Sequence, residues 1–345
     1  MRPLTEKFRE PAGLLWHGNA LLYAMAGNVV GFAGLFSRSW PVNILSTVVL
    51  AHAMIIAAYL VHECAHNTIF RRNADNARLG RILTWFCGAC YGTYEDIRYK
   101  HFRHHIDNDD VVWFDYEKFF LDHPVVLRLT RALEWCYVPA QELIMHGMLM
   151  IAAFVIPERR AQRRRNFRVL LVRVAAFCLV AVLSPRAAAL YALANVLMLI
   201  VLRFMDSVQH DYGYRLTLYD KQPSPRRGDR QWEQEHTFSN PISIRFEWLN
   251  WLVLNFGFHN AHHAKPTTPW YRLPALHREL FGTGSESVIP FVSQLRIYHR
   301  GRVERIVKWN DSAVITASTP TGGFLRAAQR AEVPGGNAAS FLTSF

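Results

Sequence analysis

The chain has 345 residues, enough for two soluble domains, yet 51% of them are hydrophobic and the charges stand between long apolar runs. Its formal net charge of +12 would suit nucleic acid. However, the basic residues flank hydrophobic segments and no nucleic-acid motif accompanies them, which excludes that partner and points to a membrane protein.

Residues 1–17 read as a basic, amphipathic lead-in, with no signal-peptide core directly behind Met1. Residues 18–36 and 42–61 contain no Lys, Arg, Asp or Glu, and each has about the 20 residues a helix needs to cross the hydrocarbon. A tight turn at Ser37-Arg-Ser-Trp-Pro41 joins them. The second run delivers His62-Glu-Cys-Ala-His66 to its emerging end, with both imidazoles on one helical face at i and i+4.

Residues 79–94 are apolar but short and carry Arg81, so they predict an interfacial or re-entrant segment rather than a span. The five cysteines (Cys64, Cys87, Cys90, Cys136 and Cys178) make no disulfide framework. Cys87 and Cys90 form a CxxC inside this apolar stretch without a second pair, and read as packing residues. Next comes His101-Phe-Arg-His-His105, three imidazoles at i, i+3 and i+4 that share a helical face. The acidic run Asp107-Asn-Asp-Asp110 and the aromatic stretch Val111–Tyr116 follow it. Residues 124–156 predict one or two amphipathic helices lying on the membrane.

Six arginines between Arg159 and Arg168 form a positive flank before a third apolar run, about residues 167–183. Ser184-Pro-Arg186 is a minimal turn, and residues 187–205 return as a fourth run, ending in Asp206-Ser-Val-Gln-His210. Residues 211–240 are polar. The Trp-rich stretch 241–258, with Arg245 and Glu247, predicts an interfacial helix that aims a last cluster, His259-Asn-Ala-His-His263. From about residue 311 the Ala/Gly/Ser/Thr-rich tail predicts poor order and no chemistry.

The expected fold is thus all-α and multi-pass: residues 1–310 form a membrane domain with four transmembrane helices in two hairpins, and 311–345 a disordered tail. Only the turns carrying Arg38 and Arg186 face outward. All three histidine clusters then fall on the cytoplasmic side, in a helical cap, and the expected location is a bacterial inner membrane.

Eight of the sixteen histidines lie in these three clusters. A structural zinc takes four ligands, so this set, with His210, suits two metals held close together. With many imidazoles and no thiolate cluster, iron that activates dioxygen is the fitting metal. The position at span ends points to a lipophilic substrate, and the two together to oxidation of an alkyl chain. A histidine-rich metal transporter is the competing class, but its sites would lie near the midplane between spans.

The sequences HECAH, HFRHH and HNAHH resemble the HxxxH, HxxHH and HxxHH boxes of the integral-membrane fatty acid desaturase and hydroxylase superfamily. The resemblance covers roughly residues 40–280, including the long gap that holds the second hairpin and Pro266-Thr-Thr-Pro-Trp-Tyr-Arg-Leu-Pro274 after the last box. It implies a non-haem centre of two irons per chain held by His62, His66, His101, His104, His105, His259, His262 and His263. His210 matches an additional ligand near the end of the fourth span. Some relatives have asparagine four residues before that histidine. Here it is Asp206, which leaves open whether this carboxylate binds metal, binds through water, or orients His210.

Glu63, Asp107, Asp109 and Asp110 are candidates to orient ligand imidazoles, and read equally as solvated loop acids. His236 is a further candidate for the metal or its surroundings. The implied activity is desaturation of a fatty acyl chain with dioxygen and two external electrons. Hydroxylases and a branch resembling terminal-alkene-forming fatty acid decarboxylases carry similar boxes. No His-Pro-Gly-Gly cytochrome motif is present, so the implied donor is a separate ferredoxin, rubredoxin or cytochrome with its reductase. Arg98, Lys100 and Arg103 around the second box, with Arg71 and Arg72 beyond the first, are candidates to hold an acyl carboxylate or carrier phosphate.

Overall fold

The structure is a computed structural model and describes residues 4–212, 215–220, 222–307 and 323–335. It divides into two compact units, one from residues 1–97 with 144–201 and the other from 98–143 with 202–344.

The first unit begins with a short helix α1 (Leu4–Lys7), followed by the hairpin of α2 (Gly13–Gly34) and α3 (Trp40–Ala65). Small residues let these two helices approach closely. A Cβ at Gly27 would lie 2.8 Å from the Ala53 Cβ, and one at Gly31 would lie 2.9 Å from both the Leu50 Cβ and its backbone nitrogen. Asn43 closes the turn: its side-chain amide donates to the carbonyls of Gly34, Leu35 and Ser37 at 3.0–3.2 Å. It thereby satisfies acceptors that the end of a helix leaves orphaned. Pro41 stands in the first turn of α3, where its missing N–H costs nothing. From Ala53 to Ala65 every residue of α3 is buried. Its last turn therefore holds His62 and His66 rigidly.

Beyond α4 (Asn73–Phe86), the apolar stretch expected to be interfacial turns at Gly88, whose φ of 78° favours glycine, into a single 3-10 turn at Ala89–Tyr91. Arg165 ties this turn down by donating to the carbonyls of Cys90, Tyr91 and Gly92.

The remaining long helices are α9 (Arg163–Leu183) and α10 (Pro185–Asp206). They meet at Ser184, whose hydroxyl accepts from the Ala187 N–H at 3.1 Å. α9 exposes Phe167, Leu171, Val172, Phe177, Val182 and Leu183, apolar area that lipid covers better than water. Among the described residues, three helical segments are long and apolar enough to cross a membrane: Trp40–Ala65, Pro157–Leu183 and Pro185–Asp206. They correspond to the second, third and fourth expected spans. The expected first span does form as α2, but it is not among them; five glycines with His17, Asn19 and Asn28 dilute its apolar content.

The second unit includes most of α5 (Tyr94–Asp107), then α6 (Tyr116–Asp122) and α7 (Pro124–Trp135). The chain returns to the first unit within α8 (Ala140–Val155), so residues 124–156 form two helices. The expectation of a purely helical chain is corrected by one small parallel sheet. Strand β1 (Asp110–Val112) pairs with β2 (Arg215–Thr217), Asp110 opposite Arg215 and Val112 opposite Thr217.

After β2 come α11 (Arg230–Glu235), α12 (His259–Ala264), α13 (Leu273–Phe281) and α14 (Phe291–Gly301). The expected Trp-rich helix is a 3-10 segment, Glu247–Val253, stopped by Leu254 and Asn255 in the left-handed region. Part of the expected silent tail is ordered. Residues of α15 (Gly323–Gln329) and the turn after it place Phe324, Ala328, Ala331 and Val333 in a core with Val208, Phe238, Ile289 and Ile297. An i, i+4 pair, Phe324 and Ala328, gives this short helix an apolar face that its small-residue composition conceals. The expectation for 311–322 and 336–345 lies outside the described residues.

Candidate metal centre

The second unit alone brings seven of the nine candidate histidines together. His101, His104 and His105 come from successive turns of α5, and His259, His262 and His263 from α12. His210 follows the end of α10 and is held by a bridge to Thr237. All but His104 are buried.

One group is His104, His210, His259 and His263, whose ligand nitrogens lie within 4.8 Å of one another. The Nε2 atoms of His104 and His210 are 3.1 Å apart, and those of His259 and His210 are 2.7 Å apart. The outer nitrogens define the tautomers. His104 Nδ1 donates to the Asp109 carbonyl at 2.7 Å, and His263 Nδ1 donates to the Glu233 carboxylate at 2.8 Å. Each of these Nε2 atoms is therefore a lone-pair donor aimed inward. His263 Nε2 is buried without a hydrogen-bond partner. Burial, reinforced by the neighbouring histidines, pushes the pKa values of His210 and His263 well down, which keeps these rings neutral and ready to ligate. Converging lone pairs in a buried site suit a cation between them, and the donor set is one that iron accepts.

Beside this group, His105 Nε2 lies 3.1 Å from the Nε2 atoms of both His101 and His262. Glu233 and His263 also approach His105 closely. In the first unit, His62 and His66 sit at the end of α3 with ring centroids 4.7 Å apart. Glu63 accepts from the Thr68 hydroxyl at 2.6 Å, and its other oxygen is 3.9 Å from His62 Nδ1.

A cavity of about 30 Å³, room for a water or two, opens onto the centre. Its wall includes Lys100, His101, His104, Asp110, Asp206 and His210. Burial pushes the Lys100 ammonium down to about 7, against the opposing pull of Asp110 and Asp206. Of the three cationic candidates around the second box, only Lys100 lines this cavity. The Arg98 guanidinium lies over the Phe102 ring at 4.7 Å, and Arg103 is ion-paired with Asp107.

Asp107, considered as a partner for a ligand imidazole, instead holds Arg103 and stands 3.7 Å from Arg227. His236 lies outside these histidine groups; it stacks on Trp232 and directs Nδ1 to the Trp232 carbonyl at 2.8 Å. Arg71 donates to the Phe8 carbonyl, and Arg72 faces Asp75. Asp109, a candidate to orient an imidazole, does so through its backbone carbonyl, whereas Glu233, thirty residues before the imidazole it holds, escaped the sequence reading. Glu233 has no spacing signal.

The family model for fatty acid desaturase matches residues 38–294, well over half of the chain. No curated protein and no solved structure matches it.

Proposed function

The chain belongs to the fatty acid desaturase family, and from that premise we propose that it is a membrane-bound non-haem di-iron oxidase that desaturates a fatty acyl chain with dioxygen and two external electrons. The observation that supports this most is the convergence of His104, His210, His259 and His263, with the outer nitrogens of His104 and His263 already committed to Asp109 and Glu233. In this reading these four histidines hold one iron. His101, His105 and His262 serve the second, and the family's boxes offer His62 and His66 as its further ligands. Bound iron supplies the oxidising power to take hydrogen from an unactivated carbon.

The chain's own residues do the rest. Glu233 and the Asp109 carbonyl fix ring orientation and tautomer, which raises the basicity of the ligand nitrogens. Val111 and Phe256 give the small cavity at the centre part of an apolar wall, while Asp206 keeps a polar group beside His210. Four crossings, the fourth supplied by α2, keep the boxes on the cytoplasmic face of a bacterial inner membrane. Electrons arrive from a separate ferredoxin, rubredoxin or cytochrome.

A second reading follows from Lys100. Its ammonium lines the same cavity as His101 and His104. A free carboxylate docked there brings the carbons nearest the head to the metals, the geometry for alkene formation from a free fatty acid or hydroxylation near the carboxyl end.

One experiment tests both readings. The purified protein is assayed for iron and, supplied with fatty acid and a reduced ferredoxin or chemical reductant, for dioxygen consumption, and cells expressing it are fed deuterium-labelled lauric acid. About two irons per chain and mid-chain double bonds are expected, in line with the ligand count. An odd-carbon terminal alkene would favour the second reading. A single zinc, or no dioxygen consumption, would overturn both.

A further inference from the structure

The electrons this reading requires must reach nitrogens that are buried, and a column of rings leads to them. The Tyr212 ring packs against His210 with centroids 4.4 Å apart and lies 5.5 Å from His104. On its far side stands Trp232, 5.3 Å away and inclined by 31°. Trp232 in turn stacks on His236 at 4.1 Å and 17°, and the Arg226 guanidinium covers it at 5.4 Å. Tyr212 is buried and anchored by a hydroxyl contact with Thr237 at 3.1 Å, whereas Trp232 reaches the surface. The two rings thus join solvent to a candidate ligand without a gap wider than ring contact.

We propose that external electrons enter at Trp232 and cross Tyr212 to the metal held by His104, His210, His259 and His263. The proposal rests on the function reading above, because it requires iron at that site. Electron transfer slows exponentially with the gap between donor and acceptor, so rings in contact form a faster route than solvent or aliphatic packing. The stacking of His236 and the cover of Arg226 hold the indole in place for this role.

The step balances simply. Two reduced one-electron carrier proteins are oxidised, one electron leaving each, and a ferric pair becomes a ferrous pair. No bond forms or breaks, and Tyr212 and Trp232 end as they began.

The test avoids the unidentified carrier. In a Cys136→Ser/Cys178→Ser background, which removes the two exposed thiols, a Gln231→Cys variant carries a tethered ruthenium tris-bipyridine photosensitiser. A flash with a sacrificial reductant, without dioxygen or fatty acid, injects electrons. Bleaching of the ferric absorption is followed per bound iron, so partial metal loss does not mimic a slow route. Trp232→Leu is expected to slow injection by an order of magnitude or more, and Trp232→Phe, which keeps a ring, to stay close to the parent. An unchanged rate in Trp232→Leu would overturn the route, as would a loss in Trp232→Phe equal to that in Trp232→Leu. A parent protein that binds no iron would overturn the function reading together with it.

Discussion

Glu233 shows how one carboxylate shapes the centre. It is fully buried, it accepts from His263 Nδ1, and Arg230 stands 3.1 Å from its other oxygen. A ligand imidazole that loses such a partner typically loses 10–100-fold in metal affinity. Glu233→Ala is therefore expected to weaken iron binding by about that factor while leaving the helices formed. Competition with a chelator would measure it, and parental affinity would contradict the role. His277 makes a separate residue-scale prediction. Burial, aided by Arg278, pushes its pKa down to about 4 from 6.5, and it packs against Phe258 and Phe281. The fold thus prefers the neutral ring. This contribution is complete above about pH 6.5 and is lost as pH falls towards about 4. His277→Gln should reduce the drop in melting temperature between about pH 7 and pH 4.5 relative to the parent. Identical pH dependence would count against it.

At the scale of elements, Arg203 near the end of α10 joins three helices. Its guanidinium lies 2.6 Å from Glu134 on α7 and 2.8 Å from Glu142 on α8, and it reaches the Gln141 side chain at 3.2 Å. All four side chains are buried. Removing this cation leaves two buried acids with Arg305 as their remaining counter-charge, so Arg203→Met should cost about 3–5 kcal/mol of stability. Adding Glu142→Gln should recover part of it, because Glu134 and Arg305 then remain as one balanced pair. Denaturation in detergent would show the two effects. Equal stability of the single variant and the parent would mean that water or relaxation already screens the acids. The α2–α3 hairpin relies on the opposite device, close approach of small residues and the Asn43 cap, with no charge involved.

For the whole molecule, the apolar face of α9 and the arginine-rich segment before it argue for a fixed orientation. The proposed map leaves only 37–41 and 184–186 outside. Single-cysteine variants of otherwise cysteine-free protein test it: Ser37→Cys should react with an impermeant thiol reagent from outside, and Arg160→Cys only after the membrane is opened. Labelling at 160 from outside would refute the map. Glu10→Cys, ahead of α2, should be shielded like Arg160→Cys; its labelling from outside together with Ser37→Cys would mean that α2 does not cross, leaving three spans. The glycine and asparagine content of α2 makes this the crossing to test first.

What the sequence determined by itself is local. Spacings of three and four residues place His101, His104 and His105 on one face of α5, since helical geometry needs only one turn to do so. A run of about 20 apolar residues likewise marks α3 and α10 without reference to any partner. Tertiary structure alone decided the rest. Glu233 meets His263, Tyr212 meets Trp232, and Phe324 enters a core with Phe238 because the chain's path through α11, α12 and α15 brings them together. No periodicity links residues twenty to ninety positions apart. The same limit explains the cationic candidates: Arg98, Lys100 and Arg103 look equivalent along the chain. Only the packing of α5 turns Lys100 into the cavity, while Arg98 covers Phe102 and Arg103 binds Asp107.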